Sequence, residues 1–513
     1  MCDVEALIVG SGYGGAVAAL RLGLAGIETV VLERGRRWEI LDPTSNATFA
    51  TFQEPDGRAE WLNTVTRTPA YEGTPIDKYT GVLELRQVGG YTFMAGCGVG
   101  GGSLVYGGIL IQPTGRLFRR AFPASVDYAE MDAVYYPRVR SVIHTAAIPD
   151  DILESEDFRG LRVLRDHAVA AGFPERPWSE NPDGNCTVRF PMAVDWDLVR
   201  DEMSGTKVRS VAAAQFWFGN NSGAKQSLER DYLRRAEATG RVAIRPLHEV
   251  RSVAATGSGT YRVEYAIRIE TGTVVATGSL TCRYLFMAAG TLGTNALLLR
   301  AKAGGHLPHL SEELGTQLGN DGDTFVYRTK LKEVTNPHLG GPGAIAILNY
   351  DNPIAPCLMM RAPLPRFAQD FPDKNAIGTF VFAQTDHRGR FGYVPETDSI
   401  ELDYPPDPVA QKASDSLART IARVAGGEVS PVSFNITGHQ IGGAAMGRVC
   451  DDSGRALGHP GLYVVDGALM PGSTTPTNPA FTIAAIAERS LDRIIATDIR
   501  SRFRSRATAT EQH

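Results

Sequence analysis

Residues 5 to 34, EALIVGSGYGGAVAALRLGLAGIETVVLER, set Gly10, Gly12 and Gly15 between a short apolar strand and a small-residue helix, with Glu33 ending the next strand. This spacing demands a particular fold. Gly10 permits the tight strand-to-helix turn, Gly12 lets the backbone approach a pyrophosphate, and Gly15 lets the helix sit close to a parallel sheet. Tyr13 and Gly14 lie in the same turn and are candidates with it, and the helix N-terminus faces the anion. Glu33 stands where a carboxylate accepts hydrogen bonds from both ribose hydroxyls, which favours an adenosine ribose without a 2′-phosphate. An α/β nucleotide-binding unit therefore opens the chain.

With 513 residues, 43% of them hydrophobic, the chain can bury a large core and is expected to form two interlocked domains. A net charge of −5 without a basic stripe excludes a general nucleic-acid binder. The arginines at 500, 502, 504 and 506 read as part of a solvated tail over 501–513. Six scattered cysteines, Cys2, Cys97, Cys186, Cys282, Cys357 and Cys450, form neither a CxxC pair nor a Cys/His cluster, so no metal site and no disulfide framework are expected. The first strand starts close to Met1 and no apolar run approaches a membrane span, which predicts a cytoplasmic protein, with a trimmed secreted form left open.

The nucleotide-binding pieces are far apart in sequence. Residues 283 to 300, RYLFMAAGTLGTNALLLR, read as a buried strand ending at Gly290 followed by a helix, and a meander of alternating strands precedes them at about 242 to 268. The predicted division is a discontinuous domain over 1–40, 226–316 and 454–500, and a second, α+β domain with an antiparallel sheet over 41–225 and 317–453. In the second, GAIAILNYDN, CLMMRAPLP and IGTFVFAQT alternate like strands whose Met, Leu and Phe side chains line an apolar cavity or fill a core.

A second glycine cluster, AGCGVGGGSLVYGGI, places Gly96, Gly98, Gly100, Gly101, Gly102 and Ser103 together without an acid-ended strand behind them. Glycine removes the side chains that hold a backbone off a planar ring, and an isoalloxazine fits that reading. Near the other end, GLYVVDGALMPGSTTPTNPAFTIAAIAERS at 461–490 gives a strand ending at Asp466 and Gly467, then a long helix after Pro479 with Asn478 near its N-cap. A carboxylate at a strand end can hold a ribityl chain, and a helix N-terminus suits the anionic side of a reduced flavin. Features at both ends of the chain favour FAD over NAD.

Taken together, GSGYGGAVAALRL, GVGGGSLVYGG, GNNSGAKQSLERDYL, RYLFMAAGTLGT, GLYVVDGALMPGS and TNPAFTIAAIAER resemble the glucose-methanol-choline (GMC) flavoprotein oxidoreductases, and within them the bacterial sterol oxidases of the cholesterol oxidase type. The resemblance implies an FAD-binding Rossmann-like domain with cofactor contacts at the glycines above, Ser103, Val250, Gly290, Asp466, Gly467, Asn478, Pro479 and Phe481. It also implies that His439, in GHQIGG, and Asn478 are catalytic, with a neutral imidazole accepting the hydroxyl proton while hydride leaves for the flavin. The electron acceptor is O2 or another oxidant.

Departures surround the reacting position. The family's buried glutamate, which isomerises the steroid double bond, falls at Met360 before Ala362, Pro363, Leu364 and Pro365. Tyr106 and Gln440 also replace family residues, and Arg361 adds a charge able to meet an acidic substrate group or a salt-bridge partner. Met360, Tyr106 and Arg361 are accordingly the candidate substrate-pocket residues. The expected activity is oxidation of a secondary alcohol on a bulky hydrophobic molecule without the isomerase step; a redox-neutral isomerisation, cyclisation or elimination with FAD retained is the alternative.

Overall fold

A computed structural model describes residues 2–68, 72–180, 182–257, 259–363, 374–432 and 435–500. The expected tail at 501–513, and Leu364 and Pro365 of the proline run, lie outside the described residues.

The N-terminal motif folds as a parallel sheet. Strands β1 (Val4–Val9) and β2 (Thr29–Leu32) are apolar runs buried on both faces at their core ends, as central parallel strands are. β1 pairs in parallel with β2 and with the end of β10 (Val274–Met287), β2 pairs in parallel with β7 (Val242–Arg245), and β10 with β19 (Leu462–Val464). The 14-residue β10 serves two neighbourhoods. Its exposed first part pairs antiparallel with β9 (Tyr261–Arg268), which pairs with β8 (His248–Ala255), and its buried last part enters the parallel region. The strand stops at Met287, short of Gly290, because Ala288 donates its N–H back to Val9 and turns the chain into helix α3 (Gly290–Ala303).

Helix α1 (Tyr13–Leu24) packs on this sheet, and α5 (Ala480–Ile494), near the far end of the chain, covers it. Glu488 of α5 is fully buried between them, accepting from Arg21 Nε (2.5 Å) and Nη2 (2.8 Å) and from Tyr232 Oη (2.9 Å). α5 begins at Ala480 with Pro479 as its N-cap.

The second large sheet runs β17 (Glu428–Val432), β11 (Thr324–Thr329), β14 (Ile377–Ala383), β13 (Cys357–Ala362), β12 (Ile345–Asn349), β6 (Asn185–Arg189) and β5 (Glu175–Pro177). All its pairings are antiparallel except β5 with β6. Period-two alternation sends Val326, Ile347, Met359 and Val381 against α2 (Arg159–Ala170) and α4 (Pro408–Ala425). The opposite face presents Phe325, Tyr327, Phe380 and Phe382 to a cavity between the two sheets. A small sheet, β3 (Leu83–Val88) with β4 (Tyr91–Gly96) and β18 (Ile436–Thr437), and a hairpin of β15 (Arg390–Val394) and β16 (Ser399–Asp403), complete the strands. Among the described residues no helix is long and apolar enough to cross a membrane, and no His/Cys/Asp/Glu group is arranged to hold a metal. Among the described residues no disulfide joins the cysteines.

Candidate active site

The cavity, about 1020 Å³, runs from the N-terminal glycine turn to the aromatic face of the second sheet. That is at the upper end of the volumes, about 300–1,000 Å³, that small-molecule sites occupy. Its floor is backbone. A Cβ at Gly10 would lie 2.2 Å from Ala288 O, one at Gly14 2.0 Å from Val465 O, and one at Gly15 2.1 Å from Gly10 O, so these three are fixed by packing. At Gly12 and Gly102 an added Cβ would meet nothing within 4 Å, although both line the cavity, and Gly101 packs on Gly12. The two glycine runs form one Cβ-free corridor at the start of α1, whose first amides lack a side-chain cap. An extended anionic linker with a flat ring system fits such a corridor.

Carboxylates mark both ends of it. Glu33 accepts from Ser11 N–H (3.1 Å), Ser11 Oγ (2.6 Å) and Gly35 N–H (2.9 Å), and burial pushes its carboxyl up against the pull of these bonds. Asp466 accepts from Thr294 Oγ1 (2.6 Å) and Ala468 N–H (3.0 Å), and burial lifts it to about 6. Tyr13, Val250, Gly290, Gly467 and Pro479 also line the cavity, as does His248. Gly98, Ser103 and Phe481 do not. Gly98 packs against Trp38, Ser103 Oγ ties Gly100 O to Leu228 N–H, and Phe481 is buried against Tyr136 with its ring centroid 4.9 Å away.

His439 and Asn478 meet at the aromatic end. β18 pairs in parallel with β4 and delivers His439, while the turn into α5 delivers Asn478, whose Nδ2 lies 3.1 Å from His439 Nε2. The helix-cap role open to Asn478 thus gives way to this contact. Phe382 stands edge-on to the imidazole at 5.0 Å. On the other side His439 Nδ1 lies 3.3 Å from Asp323 Oδ2. Burial pulls the imidazole down, but the charge and hydrogen bonding of Asp323, together with the Asp321 charge, outweigh it, so His439 titrates above its ordinary value. The expected neutral imidazole therefore carries its proton to higher pH than an isolated histidine. Gln440 Nε2 donates to Met94 O (3.0 Å), and the backbone carbonyl of Gln440 accepts from Thr291 Oγ1 (2.6 Å).

Of the three residues assigned to the substrate pocket, only Tyr106 lines the cavity; its hydroxyl donates to Gln226 O (3.1 Å) and its ring meets Tyr13 edge-on at 6.0 Å. Met360 is on the same face of the sheet as its register partner Phe380, but it is fully buried in the core with Phe190, Leu348 and Leu358 and does not line the cavity. Arg361 lies on the opposite face of β13, buried beside Gly160, and neither of its expected carboxylate contacts materialises in the described residues. Its guanidinium donates instead to the carbonyls of Leu339 (2.7 Å), Asn336 (3.2 Å) and Pro337 (3.4 Å), and burial pulls it down to about 10.

Three contributors escaped sequence reasoning. Asp321, pushed up to about 7 by burial, and Asp323 both sit in the run GNDGD, where the doubled acid around a glycine is the only signal. Lys225 is buried with its Nζ donating to the carbonyls of Leu104 (2.8 Å), Tyr106 (2.9 Å) and Phe216 (3.0 Å), which anchors the end of the second glycine run.

Residues 404–487 match the family model described as GMC oxidoreductase. A cholesterol oxidase of Mycobacterium tuberculosis is 26% identical over 556 aligned positions, covering 95% of this chain and 90% of the relative. A cholesterol oxidase of Acinetobacter baumannii is 24% identical, covering 96% and 95%. Among solved structures, pyridoxine 4-oxidase from Mesorbium loti superposes with a TM-score of 0.64 at 15% identity, covering 96% of this chain and 99% of the other. A fungal aryl-alcohol oxidase superposes with a TM-score of 0.64 at 16% identity, covering 97% and 99%. With a Cβ-free corridor flanked by buried carboxylates already in view, these likenesses identify an FAD-dependent oxidoreductase similar to the GMC oxidoreductases. It is similar to the cholesterol oxidases along nearly its whole length.

Proposed function

We propose that this oxidoreductase oxidises a secondary alcohol on a bulky hydrophobic molecule, sterol-like or polycyclic, and releases the ketone without moving a double bond. The observation that carries this reading is the His439–Asn478 pair set into a cavity wall of Phe325, Tyr327, Phe380 and Phe382. In this reading segments 1–40, 226–316 and 454–500 bind FAD in a Rossmann-like domain, and 41–225 and 317–453 enclose substrate. Gly12, Glu33, Gly102, Val250, Asp466, Gly467 and the N-terminus of α5 would hold FAD, which supplies the hydride acceptor at N5.

The chain's own groups do the rest. The aromatic wall takes up the apolar body of the substrate and excludes water from the carbinol. Asn478 orients the hydroxyl, and His439 Nε2 accepts its proton as hydride leaves the carbon, general-base work worth about 10²–10⁴ in rate. The isomerase step would need a carboxyl at Met360, where a core thioether stands instead.

Anaerobic absorbance of the holoenzyme with a panel of sterols and other bulky secondary alcohols tests the reading. Loss of the oxidised-flavin bands with one compound, and recovery of its ketone, is the expected result. Product formed from a polycyclic precursor with the bands intact overturns it in favour of redox-neutral chemistry. Peroxide released on admitting air then identifies O2 as the acceptor.

A further inference from the structure

The loop Asn320-Asp321-Gly322-Asp323 runs into β11 and sends one carboxylate to His439 and the other to the segment that leads to Asn478. Asp321 accepts from Ser473 Oγ (3.2 Å), Thr474 N–H (2.7 Å) and Thr474 Oγ1 (2.6 Å), pinning the start of the segment that ends at Asn478. Asp323 Oδ2 lies 3.3 Å from His439 Nδ1, an ion-pair distance without the alignment of a good hydrogen bond. The same oxygen accepts from Thr437 Oγ1 (3.3 Å), and Thr437 Oγ1 accepts the backbone N–H of His439 (3.1 Å). Carboxylate, hydroxyl and histidine thus close a ring that restrains the imidazole.

The second ring nitrogen fixes the tautomer. Nε2 faces the amide donor Asn478 Nδ2 at 3.1 Å, so in the neutral ring Nε2 holds the lone pair and the proton resides on Nδ1, against Asp323. The geometry points to Asp323 as a positioning residue: its carboxylate keeps the proton on Nδ1 and leaves Nε2 as the acceptor for the substrate hydroxyl. This rests on the base role given to His439 above. The charged groups acting on the ring are Asp323 and Asp321, both from this loop; β14 contributes Phe382, and the turn before α5 contributes the neutral Asn478. With an anion beside it the imidazole is a stronger base, and its unprotonated form prevails only at higher pH.

The test is 15N NMR of histidine-labelled holoenzyme, with His439 assigned by its loss in His439→Gln. The native ring should show Nε2 unprotonated above its titration point. Asp323→Asn should lower that point by about one unit or more. Asp323→Glu should restore part of the shift. An Nε2–H tautomer in the native protein, or a titration that Asp323→Asn does not move, overturns the inference. If Asp323→Asn fails to retain flavin, Thr437→Val carries the same test: the carboxylate loses a donor, His439 should titrate higher, and an unmoved point overturns the assignment.

Kinetics separate this inference from the one beneath it. Asp323→Asn should lower kcat/KM on its high-pH plateau about tenfold or more while moving the acid limb to lower pH. A shifted NMR titration with unaltered oxidation kinetics upholds Asp323 as the partner of His439 and removes His439 from the base role.

Discussion

A histidine beside an aromatic cavity acts as a base only if one nitrogen is unprotonated and the ring is held. His439 meets both conditions through groups remote in sequence, Asp323 at Nδ1 and Asn478 at Nε2. His439→Ala should leave FAD bound, because the partners of the ring are Asp323, Asn478 and Phe382, while substrate-dependent bleaching slows about 10²–10⁴-fold; unchanged stopped-flow rates would remove the base assignment. Met360→Glu tests the buried position. A carboxyl there has no polar partner and should cost about 3 kcal/mol or more of stability, seen as a lowered Tm, with no steroid isomerase activity gained. His439 and Asn478 were legible because the motifs around them resemble a known family. Asp323 was not, because its meaning arises only when β11 and β18 are brought together. Arg361 misled for a related reason: alternation along β13 decides which face a side chain takes, and no motif reports that three carbonyls will satisfy a buried guanidinium.

Strands and turns were read more readily than side-chain roles, since period-two patterns and glycine spacing act over a few residues. β12, β13 and β14 follow the alternation seen in their sequences, and β1, α1 and β2 follow the glycine motif. The motif does not say which glycines face ligand and which face protein. Two substitutions on one turn of α1 distinguish them. Gly12→Ala points its methyl into the open corridor, so the apoprotein should melt as before but bind FAD weakly. Gly14→Ala puts its methyl 2.0 Å from Val465 O, so the apoprotein itself should melt lower. Equal effects on melting and on FAD retention by calorimetry and fluorescence would refute the division. Likewise Gly98 and Ser103, plausible ring contacts by motif, serve the loop's own packing.

At the scale of the molecule, two buried acids at opposite parts of one cavity make cofactor loading depend on pH. Asp466 is raised to about 6 and Glu33 is also raised, so the folded apoprotein keeps these protons after the unfolded chain has lost them. Their contribution to apoprotein stability therefore falls as pH rises from the ordinary carboxyl range through about 6. Sugar hydroxyls donate best to ionised carboxylates, so FAD should raise the Tm more at pH 7 than at pH 5. Equal or reversed gains in a thermal-shift series would refute the placement of these acids against the cofactor. Separated motifs announced that β1, β10 and β19, far apart in the chain, would share a sheet, but how β10 links the meander to the parallel strands depends on pairings that no local pattern encodes.

Helix α1 is covered by α5, and Gly14 fits against Val465, so a helix made early is completed by one made much later. At translation rates of about 5–20 residues per second, the interval between them is roughly half a minute to a minute and a half. Throughout it the nascent chain carries an uncovered apolar helix and half a nucleotide pocket. Flavin uptake should therefore follow synthesis of α5, and a message stopped before it yields a product for the chaperones rather than a smaller enzyme.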